Sequence, residues 1–534
     1  MVKTKRSASF TLPVKIAVIL ILLFLVIIPI ISMFAQMRAE DFKAVLKSPV
    51  FSEALINSLL LSAVATVIVI LIAYLLALCM TRSEMPGKKI FGMILILPML
   101  IPSISHGMGL INLFGNNGIF TKLLGTSSIY GSVGIVLGSV LYAFPVAYIM
   151  LSDVLKYEDR SVYEAADVLG ISRARQFLRI SLPYLKKPLI AVAFSTFSMI
   201  VTDYGVPLMI GGKTKTLSLL MYQEVIGQLD FGKGSVYGAF LLIPAIIAFI
   251  TDALNKERGT TAFVHRDLQA KKKGLREVLS FAFCTLMSLF ALLPIFSFLI
   301  YAFTKAYPRD LTVTIVNFTK TFEQNGSRYL INSLIIALLT ALLGTVLAYL
   351  VAYLSARMRS GLSRIIHLIT LTFMAIPGIV LGLSYVIFFS GSFIYGTLII
   401  MIMVNTAHFV SSPYLMMYNT FGKMNENLES VGQTLGISRL RMIKDVFIPQ
   451  NVGTIAEMFS YLFVNCMMTI SAVSFLANIN TKPVSLLITQ FEGQAKFECA
   501  AVVSLMILLA NIAVKIAVAV IKSILAKKTG KAEI

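Results

Sequence analysis

The sequence predicts an all-α polytopic membrane protein, with about twelve transmembrane helices in two parallel six-helix repeats. The first observation is composition: 57% of the 534 residues are hydrophobic and 13% are charged, whereas soluble domains carry roughly 25% charged residues. The second is that apolar runs long enough to cross a bilayer recur along the whole chain. The third is an internal repeat at a spacing of about 275 residues. The short alternating segments of a membrane barrel are not visible.

Two groups of six apolar segments define the domains. Residues 1–254 form the first six-span half and residues 278–534 the second, and the polar, basic segment 255–277 is expected to be a cytoplasmic linker. Each run is expected to be helical, because backbone polar groups in lipid must be satisfied within the segment. The predicted spans lie near 14–34, 57–80, 90–112, 131–153, 187–210, 234–254, 278–303, 332–355, 365–389, 395–418, 453–476 and 499–521.

The second span of each half carries the repeat. The string NSLLLSAVATVIVILIAYLLALCMTR (57–82) aligns without a gap on NSLIIALLTALLGTVLAYLVAYLSAR (332–357), and Arg82 matches Arg357. Six spans per half place the start of both halves on the same side of the membrane. The halves are therefore predicted to be parallel repeats, related by an axis along the membrane normal.

The net charge of +21 is explained by Lys and Arg in cytoplasmic loops and not by nucleic-acid binding. Placing the N-terminus inside makes every cytoplasmic loop basic, so both termini are expected to be cytoplasmic. The four cysteines and four histidines are scattered, without the spacing of disulfides or metal ligands. We expect no metal site and no nucleic-acid partner.

A basic, glycine-broken segment follows the fourth span of each half. EAADVLGISRARQFLRISLP (164–183) reads as two short helices: Gly170 supplies a helix stop and Ser172 an N-cap. ESVGQTLGISRLRMIKDVFIP (429–449) repeats the pattern at the same topological position. The alternative interpretation is an amphipathic helix that lies in the lipid headgroup region. The recurrence of the segment at the same position in both halves argues against it.

The first segment resembles the EAA loop of permease subunits in binding-protein-dependent ABC importers. The resemblance implies that its first helix is the coupling helix, which docks on a cytoplasmic ATPase through Glu164, Ala165, Ala166 and Gly170. The second copy is degenerate, because Glu429 lies seven rather than six residues before Gly436. The resemblance gives Glu429 and Gly436 the coupling role in that half.

The resemblance covers nearly the whole chain and implies a fused tandem permease of the bacterial inner membrane, similar to ferric-iron, thiamine and 2-aminoethylphosphonate permeases. Its implied partners are the lipid bilayer, two copies of an ABC ATPase that bind ATP and Mg, and an extracytoplasmic solute-binding protein. The chain itself is expected to hold no cofactor and to be no enzyme. Its one Walker-like string, GGKTKT (211–216), has Pro207 where the motif G-x-x-x-x-G-K-[ST] begins with glycine.

The candidate solute path lies in the fifth span of each half. Asp203 and Tyr204 precede Gly205 in an apolar run, where an ionisable group usually faces a cavity or a transport path. The matching stretch of the second half carries Thr469 and Ser471. The alternative is that Asp203 only caps a kink and that the hydroxyls join helices.

The stretch TDYGVPLMIGG (202–212) and the Y-x-x-V-I-G-Q that follows resemble 2-aminoethylphosphonate permeases, so this organophosphonate is the first substrate expected. Ferric iron is the alternative, followed by thiamine or a polyamine. A proton-coupled secondary transporter also has twelve spans in parallel halves. That class would carry buried relay residues in several spans and needs no glycine-broken basic loops.

Overall fold

The computed structural model describes residues 2–121, 129–156, 158, 160–255 and 274–528, and its helices fall on the twelve predicted spans. Seven spans are single long apolar helices, three are bent pairs and two are shorter apolar helices. Most of the predicted linker, residues 256–273, lies outside the described residues. In chain order the spans are Leu12–Gln36, Pro49–Arg82, Lys88–Leu100 with Ser103–Phe114, Ser132–Lys156, Arg173–Val201, Phe231–Asn255, Gly274–Phe303, Gly326–Ala356, Gly361–Ala375 with Gly378–Phe389, Leu398–Phe409 with Ser411–Lys423, Val452–Met468 and Phe497–Leu525.

Short helices and one hairpin connect the spans. The hairpin pairs Thr304–Ala306 with Asp310–Val313 in antiparallel fashion. The short helices are Ala39–Lys47, Arg160–Val168, Gly205–Ile210, Leu217–Gly227, Val316–Glu323, Leu428–Thr434, Arg439–Met442, Ile443–Phe447, Ile448–Gln450, Val484–Leu486 and Leu487–Gly493.

The third span of each half is not the straight helix that the apolar run suggests. Span three bends by 103° and span nine by 106°. Each bend lies at an Ile-Pro step, where Ile101 and Ile376 adopt extended backbone. Proline lacks an N–H and disfavours helical geometry in the residue before it, so the helix must stop and restart there.

The first compact unit comprises Ala39–Thr319 and Phe491–Leu505. Small residues such as Ala65 and Ala73 are fully buried in the core that spans two and four share, as expected where membrane helices pack closely. This unit also contains span seven, the first span of the second sequence half: a Cβ on Gly109 would lie 2.7 Å from Pro294.

The second compact unit comprises Met1–Arg38, Lys320–Gln490 and Met506–Ile534. Its core pairs span eight with span eleven, and a Cβ on Gly344 would lie 2.9 Å from Leu462. Span one belongs to this unit, because the Tyr385 hydroxyl donates to the Leu25 carbonyl at 2.7 Å. Each unit therefore takes its first span from the other half of the sequence.

Candidate coupling loops and solute path

The two basic segments form matching helix–turn–helix loops, which we name coupling loop one (residues 160–183) and coupling loop two (428–449). Gly170 has φ +66° and Gly436 has φ +69°, the left-handed region that favours glycine. A Cβ at either position would meet open space. The glycines are therefore needed for backbone conformation and not for close packing.

The same hydrogen bond closes both turns. The Ile171 N–H donates to the Ala166 carbonyl at 2.9 Å, and the Ile437 N–H donates to the Gly432 carbonyl at 2.8 Å. This bond reaches back over the turn glycine and satisfies a carbonyl at the helix end, as in a Schellman motif. The loops thus share their backbone geometry although the second copy is degenerate in sequence.

Coupling loop one presents part of its predicted contact set on the surface. Glu164, Ala165 and Gly170 are exposed, whereas Ala166 is buried, with 4% of its surface accessible. Two further residues of this loop, Val168 and Leu169, are 87% and 75% exposed. The sequence pattern did not assign them to the contact. An apolar pair this exposed on a polar loop is typical of a protein contact site.

In coupling loop two the predicted glutamate faces the protein. Glu429 accepts a hydrogen bond from Arg357 Nε at 2.7 Å and another from the guanidinium Nη2. The surface of this loop instead carries Leu435 and Leu440, which are 68% and 73% exposed, beside the exposed Gly436. Glu429 therefore does not occupy the position that Glu164 has in loop one.

Asp203 lies in a break between two helices. Span five ends at Val201, and the next helix is Gly205–Ile210. Asp203 Oδ2 accepts a hydrogen bond from the Val206 N–H at 2.9 Å, and the carboxylate has Ser103 as a further partner. This is the arrangement of a helix cap.

Tyr204 is buried with 1% exposure, and its ring stacks on Tyr222 with centroids 4.6 Å apart. The cavity beside Asp203 has a volume of about 10 Å³, room for about one water molecule. Its polar lining consists of Asp203 and the hydroxyls of Ser58, Ser62, Ser139, Thr216 and Ser218. In this conformation the cavity does not accommodate a solute.

The matching break in the second unit has no carboxylate at the corresponding position. Span eleven ends at Met468, and Thr469 is extended and 9% exposed. Ser471 lies where the second part of span nine begins: a Cβ on Gly378 would be 2.5 Å from Ser471 Oγ and 2.9 Å from His408 Nε2. The sequence indicated the two hydroxyls but gave no signal for His408.

A paired hydrogen bond at the start of the second span of each half was also missed. Asn57 Nδ2 donates to the Lys215 carbonyl at 3.2 Å, and Asn332 Nδ2 donates to the Lys482 carbonyl at 3.3 Å. The recurrence of asparagine at an offset of 275 was the available signal. Both bonds fix the chain that follows the break in the fifth span.

The Walker-like string does not have the setting of a nucleotide site. Gly211 and Gly212 form a turn between the helices Gly205–Ile210 and Leu217–Gly227, whereas a P-loop connects a strand to a helix. Within the described ranges, no three His, Cys, Asp or Glu side chains are grouped so that they could hold a metal ion.

Comparison with known proteins identifies the family. The profile of the binding-protein-dependent transport system inner membrane component matches residues 70–256 and again 344–528. The ferric transport system permease protein FbpB of Actinobacillus pleuropneumoniae is 24% identical over 507 residues, which cover 90% of this chain and 74% of the relative. The putative ferric transport system permease protein FbpB 1 of Haemophilus influenzae is also 24% identical, over 90% of this chain and 80% of its own length.

Other relatives match one half only. The sulfate transport system permease protein CysT of Escherichia coli is 24% identical over 246 residues, which cover 45% of this chain and 88% of the relative. Two family matches in tandem, on a helical fold with recurring spans, confirm the predicted class of protein. The chain belongs to the family of binding-protein-dependent transport system inner membrane components, as a fused permease of an ABC importer.

Proposed function

We propose that this permease imports ferric iron, delivered by an extracytoplasmic binding protein, with ATP hydrolysed by a separate ATPase. The observation that carries the substrate is the extent of similarity: relatives named for ferric transport match over 90% of this chain, whereas the sulfate relatives match one half. The ferric relatives thus share the tandem arrangement as well as the repeat unit.

This proposal reverses the order that the sequence favoured. The 2-aminoethylphosphonate interpretation rests on short strings around residues 202–228, whereas the relatives described above are named for ferric iron and sulfate. It remains the second candidate on those strings alone. Thiamine and polyamines have no observation in their favour.

Iron is the cargo here and not a resident cofactor. Buried His, Cys, Asp and Glu side chains are not grouped in threes in the described part of the chain, so we propose that the membrane path holds no tight ferric site. Selectivity then belongs to the binding protein, and the permease supplies the gated passage.

We propose that both coupling loops face the cytoplasm and that each docks on one copy of the ATPase. The exposed apolar pairs, Val168 with Leu169 and Leu435 with Leu440, give each loop a contact of the same chemistry. The positive-inside rule supports this orientation and cytoplasmic termini. ATP and Mg are bound by the ATPase, and this chain contributes the docking surface.

Uptake tests the substrate directly. Cells that lack the permease and cells that express it from a plasmid are supplied with radiolabelled ferric iron or with labelled 2-aminoethylphosphonate. We expect energy-dependent iron uptake only when the permease is present. Uptake of the phosphonate and not of iron would replace the proposed substrate by the second candidate, and uptake that survives loss of ATP would contradict the ATP-driven mechanism.

A further inference from the structure

The arginine that ends the second span is bound into coupling loop two. Besides the two bonds to Glu429, Arg357 donates to the backbone carbonyls of Met424 at 3.2 Å and Asn425 at 2.7 Å. Its guanidinium carbon lies 5.5 Å from the centroid of the Phe447 ring. The Arg357 side chain is 5% exposed and that of Glu429 is 17% exposed, so their ion pair is largely shielded from water. One side chain thereby joins the end of span eight to both parts of coupling loop two, the coupling helix Leu428–Thr434 and the segment that carries Phe447.

The corresponding arginine makes a similar set of contacts in the first unit. We call each set, an arginine at the end of the second span with its carboxylate and aromatic partners, a joint. Arg82 pairs with Glu158, a buried carboxylate with 3% side-chain exposure, and its guanidinium carbon lies 5.5 Å from the Tyr163 ring centroid. The Tyr163 hydroxyl donates to Glu158 and contacts Ser181 Oγ at 2.6 Å. Burial, reinforced by the bond to Glu158, raises the pKa of Tyr163, so the phenol remains a donor at physiological pH.

The two joints use equivalent arginines but different partners. When the sequences of the two loops are aligned on Pro183 and Pro449, Tyr163 and Glu429 fall at the same alignment position. The carboxylate of one joint thus occupies the position of the aromatic ring in the other. The arginine, a carboxylate and a ring are nevertheless present in both. The carboxylate and the ring come from different sequence positions in the two loops, yet each loop keeps both. This indicates that the joint is required, rather than any one side chain.

We infer that Arg82 and Arg357 are positioning residues, which fix each coupling helix to the second span of its own half so that movement of the helix is passed into the membrane. This inference rests on the proposed coupling to an ATPase. It changes the role of Glu429, which holds the coupling helix from within the chain and is not a contact for the ATPase.

The coupling helices bury little surface, so they need a specific contact to hold them to the second span. In Arg160–Val168, the buried positions among the described side chains are Tyr163 and Ala166, and most of the remaining helix surface is exposed. A short helix with so little buried surface is held weakly by packing alone. In loop two the bidentate Arg357–Glu429 pair restrains both the position and the rotation of the coupling helix. In loop one Arg82 reaches the helix through the ring of Tyr163, whose hydroxyl donates to Glu158, the ion-pair partner of Arg82. Without these contacts the helix can move without moving the span.

A merely stabilising role is separated from a positioning role by two readouts. Arg357→Ala, Glu429→Gln and the charge reversal Arg357→Glu with Glu429→Arg perturb the joint of loop two. Tyr163→Phe is a gentler variant of loop one, because it keeps the ring under Arg82 and removes the hydroxyl. Arg359→Ala is the matched control: its bond to Glu426 spans 2.8 Å, but the two side chains are 75% and 72% exposed.

The first readout is the mobility of a nitroxide in the isolated chain in nanodiscs, attached at Leu435 for the loop-two variants and at Leu169 for Tyr163→Phe, because both leucines are exposed. The second is uptake per ATP hydrolysed in the complex with the ATPase and the binding protein. We expect the joint variants to mobilise the label and to lower uptake per ATP roughly fivefold to tenfold, which lies within the range of coupling changes from single substitutions. The control should change neither.

An immobile label in Arg357→Ala would overturn the inference, and so would a mobile label with unchanged uptake per ATP. Normal values for both in Glu429→Gln together with Tyr163→Phe would also overturn it. Failure of the proposed function has a different signature, because the unmodified chain would then show no ATP-dependent uptake while the label still reports the joint.

Discussion

The Ser58 hydroxyl accepts a hydrogen bond from the backbone N–H of Leu217 at 2.8 Å. In the second unit the Ser333 hydroxyl accepts from the N–H of Val484 at 2.7 Å. Both serines lie near the start of the second span of their half, and both donors follow the break in the fifth span. This equivalence, between serines 275 positions apart and donors 267 positions apart, shows that the repeat extends to single hydrogen bonds that fix the break.

Ser58→Ala and Ser333→Ala should each destabilise the protein. Each leaves a buried N–H without its acceptor, which costs about 1–3 kcal/mol. The loss should appear as a lower midpoint of thermal unfolding in detergent, of similar size for the two variants. Ser52→Ala is the control, since its hydroxyl bonds only locally to the Pro49 carbonyl on an exposed surface. A fall for the control as large as for the other two would contradict the assignment.

Asp203→Asn should retain most iron uptake. Asparagine can accept the Val206 N–H as aspartate does, and the two residues are nearly equivalent caps. Asp203→Ala, which removes the acceptor, should lower the amount of folded protein. Uptake is measured with labelled iron and normalised to protein in the membrane. Strong loss of uptake in Asp203→Asn at normal protein level would show instead that the carboxylate charge acts on the solute.

The positions of the spans could be predicted because apolar length is a property of local sequence. Each of the twelve predicted runs contains a membrane-length or shorter apolar helix, yet the bends of about 100° in spans three and nine were missed, although Pro102 and Pro377 marked them. Proline in a membrane helix is compatible with a kink or with a complete reversal. Packing against neighbouring helices decides between the two, and that information is not local.

The candidate site was predictable in part for a similar reason. Glycine at a turn has one main physical meaning, a left-handed backbone, so Gly170 and Gly436 were placed correctly from the pattern. Which way Glu429 faces depends on Arg357, which lies 72 residues away. His408 beside Ser471 likewise depends on tertiary packing. Residues whose role is set by distant partners cannot be assigned from spacing.

Gly170→Val and Gly436→Val should impair uptake to a similar extent. Both positions have φ near +65 to +70°, where a side chain costs roughly 1–2 kcal/mol and a β-branched one more. Gly170→Asn is the control, because asparagine adopts this conformation readily and a side chain there meets open space. Assembly with the ATPase is measured by co-purification beside uptake. If valine and asparagine behaved alike at position 170, the turn conformation would not be what coupling requires.

The last prediction concerns the inner face of coupling loop two. A Cβ on Gly432 would lie well inside contact distance of the Met442 sulfur, so Gly432→Ala should loosen the two short helices. In coupling loop one the equivalent pair is Ala166 with Gln176, and Gln176 Nε2 donates to the Ile171 carbonyl at 2.9 Å. The double variant Gly432→Ala with Met442→Gln places the alanine and glutamine of loop one at the equivalent positions of loop two.

We expect the single variant to lower the thermal midpoint and uptake, and the double variant to recover a substantial part of both. Methionine is flexible, so the single variant should lose only a moderate amount of unfolding free energy, about 1–3 kcal/mol as for other overpacked sites. Gly453→Ala serves as the control, because a Cβ there meets nothing within 4 Å. Equal loss in the single and double variants would mean that the two loops do not share interchangeable packing. Recovery would show that the loops, though divergent in sequence, are built around one buried contact between their short helices.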